Sequence, residues 1–251
     1  MFASPAQKKT YYLFVYNVVQ LLGWAAMLQR AVVAWARGGP LAAWPAAGTL
    51  FVAMQTSASA LELLHVALGL VRAEMTSTAA QAFIRLTIAL VLLGGPFNVI
   101  HGACRTAQLA LFHWAGSPVG LDAGTLLVAL GATEVVRYLF FSLRLLLGMS
   151  GGRPGPLLLH RSYLGVRWLR YSTFVVFYPL GGACEMYLAA AAIPTVGAAM
   201  SKSGRTLQHQ AGLSAQLAFL ALFLLSNVYL LPLLFARLLT QRSAVLGRRD
   251  L

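Results

Sequence analysis

Six apolar stretches dominate this chain, near 11–35, 48–71, 79–100, 121–147, 168–193 and 214–238. Each is about as long as the roughly 20 residues an α-helix needs to cross a bilayer core. Backbone amides cannot be left unpaired in hydrocarbon, so only helices and closed barrels span it. No run of alternating apolar and polar residues of barrel type is present, which leaves the helix. The expectation is an all-α integral membrane protein, a six-transmembrane-helix bundle forming one membrane domain over residues 1–251. Charged residues make up 10% of the chain, far below the roughly 25% of soluble domains. Turn chemistry marks the breaks, at "RGGP" (37–40), "GGPF" (94–97), "GSPVG" (116–120) and "GMSGGRPGP" (148–156). The leader "MFASPAQKK" is basic, but the span behind it is too long for a signal-peptide core, so that span is expected to be retained.

The formal charge is +13. No soluble face is available to concentrate it for nucleic acid, and topology accounts for most of it. With the N-terminus in the cytosol, thirteen of the nineteen Lys and Arg fall on that side and five on the other, with Arg137 inside a span. The cytosolic count includes Arg72, Arg85, Arg153, Arg161, Arg167 and Arg170. Both termini are therefore expected in the cytosol. A basic cytosolic face also favours a polyanionic substrate or headgroup. Residues 157–170, "LLLHRSYLGVRWLR", mix basic with apolar and aromatic groups and suit an interfacial segment running into the fifth span.

Only two cysteines are present, Cys104 and Cys184, so no disulfide framework or thiolate metal site is indicated. Neither is followed six residues later by Arg, as the nucleophile loop of a cysteine phosphatase requires. Glu62 with His65 and Glu134 with Arg137 are spaced i,i+3, so each couple shares a helix face. The plain reading is mutual neutralisation that ties helices together. One Glu and one His do not make a metal site, and neither a metal nor a cofactor is expected. The third and sixth spans read as the blandest.

"YPLGGACE" (178–185) is different. A carboxylate near a bilayer centre costs roughly 2.5 to 3.5 kcal/mol on insertion scales, and such residues usually have a function. Seven helical positions bring Tyr178 and Glu185 within about 20° of one another around the axis and roughly 10 Å apart along it. Pro179 removes a backbone donor and crowds the carbonyl of Val175, while Gly181 and Gly182 allow close approach by a neighbour or ligand. No cation lies within one turn of Glu185. A phenol and an uncompensated carboxylate on one face suit proton transfer.

The run "LRYSTFVVFYPLGGACE" (169–185) resembles the signature of the very-long-chain (3R)-3-hydroxyacyl-CoA dehydratases, once called protein-tyrosine-phosphatase-like proteins. "YLFVYNVVQLLGW" (12–24), "ALELLHVALGLVR" (60–72), "QAFIR" (81–85), "TEVVRY" (133–138) and "LLTQR" (238–242) follow in the family's order. The resemblance implies six spans with cytosolic termini, residence in the endoplasmic reticulum membrane, and the third step of fatty-acid elongation. There, water is lost from a 3-hydroxyacyl-CoA to leave the trans-2-enoyl-CoA. It implies the company of the other elongation enzymes, the condensing enzyme and the reductases, and it puts the catalytic Tyr and Glu on Tyr178 and Glu185. Leu130-Gly131, Ile84 and Phe141 depart from the family's usual Trp-Ser, Ser and Tyr. Arg248 and Arg249 stand where a dilysine retrieval signal is common.

Elimination from a β-hydroxy thioester needs removal of the α proton, polarisation of the carbonyl and protonation of the departing hydroxyl. Glu185 is the preferred base and Tyr178 the preferred donor, with the reverse assignment left open. Arg137, Tyr171, Gly181 and Gly182 are expected around the substrate. Arg153, Arg161, Arg167 and Arg170 are expected near the CoA phosphates. Two rivals remain: a small proton-coupled transporter, with a passage open to both faces, and a catalytically inactive adaptor of the elongation enzymes.

Overall fold

The computed structural model describes residues 4–94, 98–114, 117–149, 157–201 and 207–247. Helix α1 spans Pro5–Gly38 and starts on a capping box. Ser4 Oγ accepts from the amide of Gln7, and Gln7 Oε1 accepts from the amide of Ser4. Two otherwise orphaned amides are thereby satisfied, and Pro5 occupies the first turn, where its missing N–H costs nothing. The helix stops at Gly39, whose φ of 79° suits glycine. A 3₁₀ turn over Pro40–Ala42 then leads into α2, Ala43–Ala67. Helix α3, Met75–Leu86, continues as a π-helical turn over Thr87–Leu93. A short α4, Asn98–Thr106, is followed by strands β1 (Gln108–Trp114) and β2 (Ser117–Asp122). Helices α5 (Ala123–Met149), α6 (Leu157–Ser201) and α7 (Leu207–Leu246) complete the chain.

Among the described residues, six helical segments are long and apolar enough to cross a membrane. Each overlaps one of the six stretches expected from the sequence, with bounds that differ and two corrections. The third span ends at Leu93 rather than near residue 100, because Gly94 takes an extended conformation and the chain restarts as α4. The chain is also not wholly helical, since β1 and β2 form an antiparallel hairpin. A register shift between Ala110 and Phe112 breaks the period of two there, so the hairpin carries no clean strand signature.

Helix α5 sits centrally, packed against α1 on one side and α6 on the other, with α2 beside α1, α3 along α2 and α7 along α6. Trp24, Met27, Phe51, Leu126, Leu127 and Leu188 are fully buried between them, with Trp24 edge-on to Phe51 at 6.0 Å. Asp122 caps α5 by accepting from the amide of Thr125 at 2.8 Å and from its hydroxyl at 3.2 Å. The outer faces remain apolar, for example Val19 and Leu22 on α1 and Leu222, Leu225 and Val228 on α7. Such faces suit lipid rather than water.

Candidate active site

A cavity of about 440 Å³ opens among α2, α3, α5, α6 and α7. On α6 its wall runs from Arg170 and Tyr171 through Phe174, Phe177 and Tyr178 to Gly181, Gly182 and Glu185. Fifteen helical steps separate Arg170 from Glu185, which makes that wall about 22 Å long. Because α7 runs antiparallel to α6, Gln241, Leu238 and Arg237 stand at the Arg170 end and Leu231 at the Glu185 end. Helix α3 contributes Ser77 and Gln81 to the first end and Ile88 to the second. The cavity thus runs from a cationic, polar mouth past Arg85, Glu134 and Arg137 to Glu185 among apolar neighbours.

Tyr178 and Glu185 face this one space. The Tyr178 ring stacks on Phe235 at 6.0 Å, and its buried hydroxyl has no hydrogen-bond partner. Glu185 is 6% exposed and makes no hydrogen bond or ion pair among the described residues. A buried hydroxyl without a partner costs about 1–3 kcal/mol, so both groups stand ready for one that arrives with a ligand. Pro179 does not end α6, which continues as helix to Ser201; bundles tolerate such prolines where neighbouring groups meet the freed carbonyl. A Cβ at Gly182 would stand 2.9 Å from Leu231 Cδ1, so glycine lets α7 approach closely at the depth of the carboxylate.

Beside this couple lies a closed set of four charges. Arg85 reaches Glu62 at 3.3 Å and Glu134 at 3.1 Å. Arg137 donates from Nε to Glu134 at 2.8 Å, and its Nη2 is paired with both Glu134 and Glu62. Tyr138 donates to Glu62 at 2.9 Å and accepts from Arg137 at 2.7 Å. Two guanidinium groups and two carboxylates leave the set neutral. Arg85 therefore belongs to the bundle interior and not to the cytosolic surface where charge counting put it. The expected couple of Glu62 and His65 does not form. His65 instead meets the Tyr12 hydroxyl at 2.9 Å and lies edge-on to Tyr12 and Tyr16, while Glu62 takes the stronger guanidinium partners.

Of the other residues expected here, Arg137, Tyr171, Gly181 and Gly182 all line the cavity. So does Arg170, which lies over the rings of Phe140 and Phe141 at 4.7 and 4.4 Å with Nη1 buried and unpaired. Arg167 is half-buried off the cavity lining and Arg161 is exposed. Arg153 lies outside the described residues, as do Arg248 and Arg249. Sequence reasoning missed Arg85, Arg237 and Gln241. The signal for the first was a stripe on the third span, since Ser77, Gln81 and Arg85 follow at i, i+4 and i+8 and all line the cavity. Three departures from the family pattern, Ile84, Leu130 and Phe141, sit on this same wall.

The family described as "Protein tyrosine phosphatase-like protein, PTPLA" matches residues 56–248. The chain belongs to this family. A very-long-chain (3R)-3-hydroxyacyl-CoA dehydratase of Caenorhabditis elegans is 31% identical over 94% of this chain and 94% of its own. Dehydratase 2 of Mus musculus is 28% identical over 98% of this chain and 85% of its own. The dehydratase PASTICCINO 2B of Oryza sativa is 32% identical over 73% and 69%. No solved structure matches the chain. Despite the family's description, this member lacks the Cys and Arg spacing of a phosphatase loop.

Proposed function

We propose that this protein removes water from (3R)-3-hydroxyacyl-CoA to give trans-2-enoyl-CoA, the third step of very-long-chain fatty-acid elongation. It would act in the endoplasmic reticulum membrane, with both termini cytosolic, beside the condensing enzyme and the reductases of the cycle. One observation carries the reading: a buried phenol hydroxyl and a buried carboxylate, neither in a hydrogen bond or ion pair among the described residues, face a single cavity with a cationic mouth. The relatives named as dehydratases supply the substrate class.

In this reading the CoA phosphates rest at the mouth near Arg170 and Arg237, and the thioester reaches Tyr178 and Glu185. The Glu185 carboxylate takes the α proton. The bond from Cβ to oxygen breaks as Tyr178 protonates the departing hydroxyl, so water leaves and the enoyl double bond forms. Transfer of a proton from Glu185 to the Tyr178 phenolate restores the starting state. Each proton transfer contributes typically about 10²- to 10⁴-fold. The neighbouring four-charge set is neutral and its members already satisfy one another, so it holds the wall in place without a direct ion pair to Glu185.

Incubation of the purified protein with a 3-hydroxyacyl-CoA should yield the enoyl product. Tyr178→Phe and Glu185→Ala should each abolish it. Near-normal turnover in either variant would sink the assignment.

A further inference from the structure

We propose that the acyl chain leaves the cavity sideways, through a cleft between the π-helical end of α3 and α7, and lies in the surrounding lipid. The identity of the occupant rests on the dehydratase reading above; the cleft does not. Three observations carry the inference.

The far end of the cavity is closed. Beyond Glu185, Leu92, Leu93, Ile100, Cys104, Leu188 and Ala192 are all fully buried in one cluster. There Cys104 Sγ donates to the Leu188 carbonyl at 3.3 Å and fastens α4 to α6. A tail entering from the polar mouth therefore cannot continue along the bundle axis.

The side wall, by contrast, is incomplete. Ile84 and Ile88 line the cavity from α3 and its π-helical turn, and Leu231 and Leu234 line it from α7. Yet among the described residues α3 packs along α2 and α7 along α6, and no extensive packing joins α3 or its π-helical turn to α7. The flanks of the gap are apolar and outward-facing, with Leu90 on the π-helical turn and Leu225 and Val228 on α7 exposed.

The volume is also small. About 440 Å³ falls toward the lower end of pockets that enclose drug-sized ligands, roughly 300 to 1,000 Å³. A thioester head with its pantetheine arm fills such a space, whereas the relatives are named for very-long-chain substrates. Lipid tails are as apolar as a leucine-lined wall, so methylenes beyond the cleft lose nothing by lying in the bilayer. The site would then read the head and the first part of the chain and leave the remainder unread.

The test compares twenty-carbon and eight-carbon 3-hydroxyacyl-CoA substrates. Ile84→Trp and Leu234→Trp narrow the cleft, so the ratio of kcat/KM for the long over the short substrate should fall about tenfold or more. Leu22→Trp, on the outward face of α1 away from the cleft, should leave that ratio at the wild-type value. A ratio unchanged in both cleft variants, with the short substrate still turned over, would overturn the cleft and spare the dehydratase reading. Wild-type protein inactive on both lengths would overturn the dehydratase reading itself. A twenty-carbon substrate carrying a terminal diazirine supplies a readout independent of these variants in the wild-type protein. Its label should appear on α7 around Leu225 and Val228 or on lipid, and label on α4 or α5 around Cys104 and Leu126 would overturn the proposal.

Discussion

The Tyr178 hydroxyl is a useful probe because it makes no hydrogen bond in the resting protein. Removing a buried polar group that lacks a partner relieves a desolvation cost and breaks no interaction. Tyr178→Phe should therefore melt at the same temperature as the wild type or slightly above it, while losing about 10²- to 10⁴-fold in kcat. A thermal melt alongside an enoyl-CoA assay checks both halves, and a large loss of stability would recast Tyr178 as a packing residue. Arg170 calls for a different expectation. Its guanidinium lies over Phe140 and Phe141 with one nitrogen unpaired at the cavity mouth, which suits an anion on the substrate. Arg170→Met should raise KM about tenfold and leave kcat within a few-fold, as measured by steady-state kinetics. At this scale the sequence revealed the couple of Tyr178 and Glu185, because an acid in an apolar run stands out by its cost. It hid Arg85, because an arginine a few residues inside a span looks the same as one at the membrane surface until the opposing carboxylates of α2 and α5 are placed beside it.

Among the elements, α5 matters most, since it packs against both α1 and α6 and carries Glu134, Arg137 and Tyr138. Its start is fixed by Asp122, which is fully buried and bonded twice to Thr125. Asp122→Ala removes the cap, with an expected loss of about 0.5–2 kcal/mol. The folded fraction should retain its turnover, because Asp122 does not line the cavity. Thermal unfolding in detergent beside activity per folded molecule checks this, and unchanged stability would mean that the cap is dispensable. The six spans were legible because length and apolarity alone define them. The π-helical turn over Thr87–Leu93 and the hairpin over residues 108–122 were not. A π-helical turn differs from α-helix only in the spacing of its hydrogen bonds, and an apolar sequence leaves no mark of that choice. The hairpin is interrupted by its own register shift.

At the scale of the molecule, one cluster ties three spans together. Glu62 from α2, Arg85 from α3 and the i,i+3 couple Glu134 and Arg137 from α5 pair in every crosswise combination. Tyr138 extends the cluster to α1 through Tyr16 at 3.4 Å. Helices in lipid gain no hydrophobic drive toward one another, so such polar contacts and close packing hold a bundle together. Removing one member leaves a buried charge uncompensated, which typically costs about 3–5 kcal/mol, whereas removing an oppositely charged couple leaves a neutral remainder. Arg137→Met alone should therefore destabilise the protein strongly, and Glu62→Met alone should do so by a comparable amount. The double variant Glu62→Met/Arg137→Met should be more stable than the sum of the two losses requires, by about 1 kcal/mol or more. It retains Arg85 with Glu134, so α3 and α5 stay tied while α2 is released. Strictly additive losses, measured by denaturation of the three variants in one detergent, would show that the four charges act separately and that packing alone sets the arrangement of these spans. A positive coupling accompanied by restored stability but unrestored turnover would identify the cluster as the frame that holds the cavity wall around Tyr178 and Glu185.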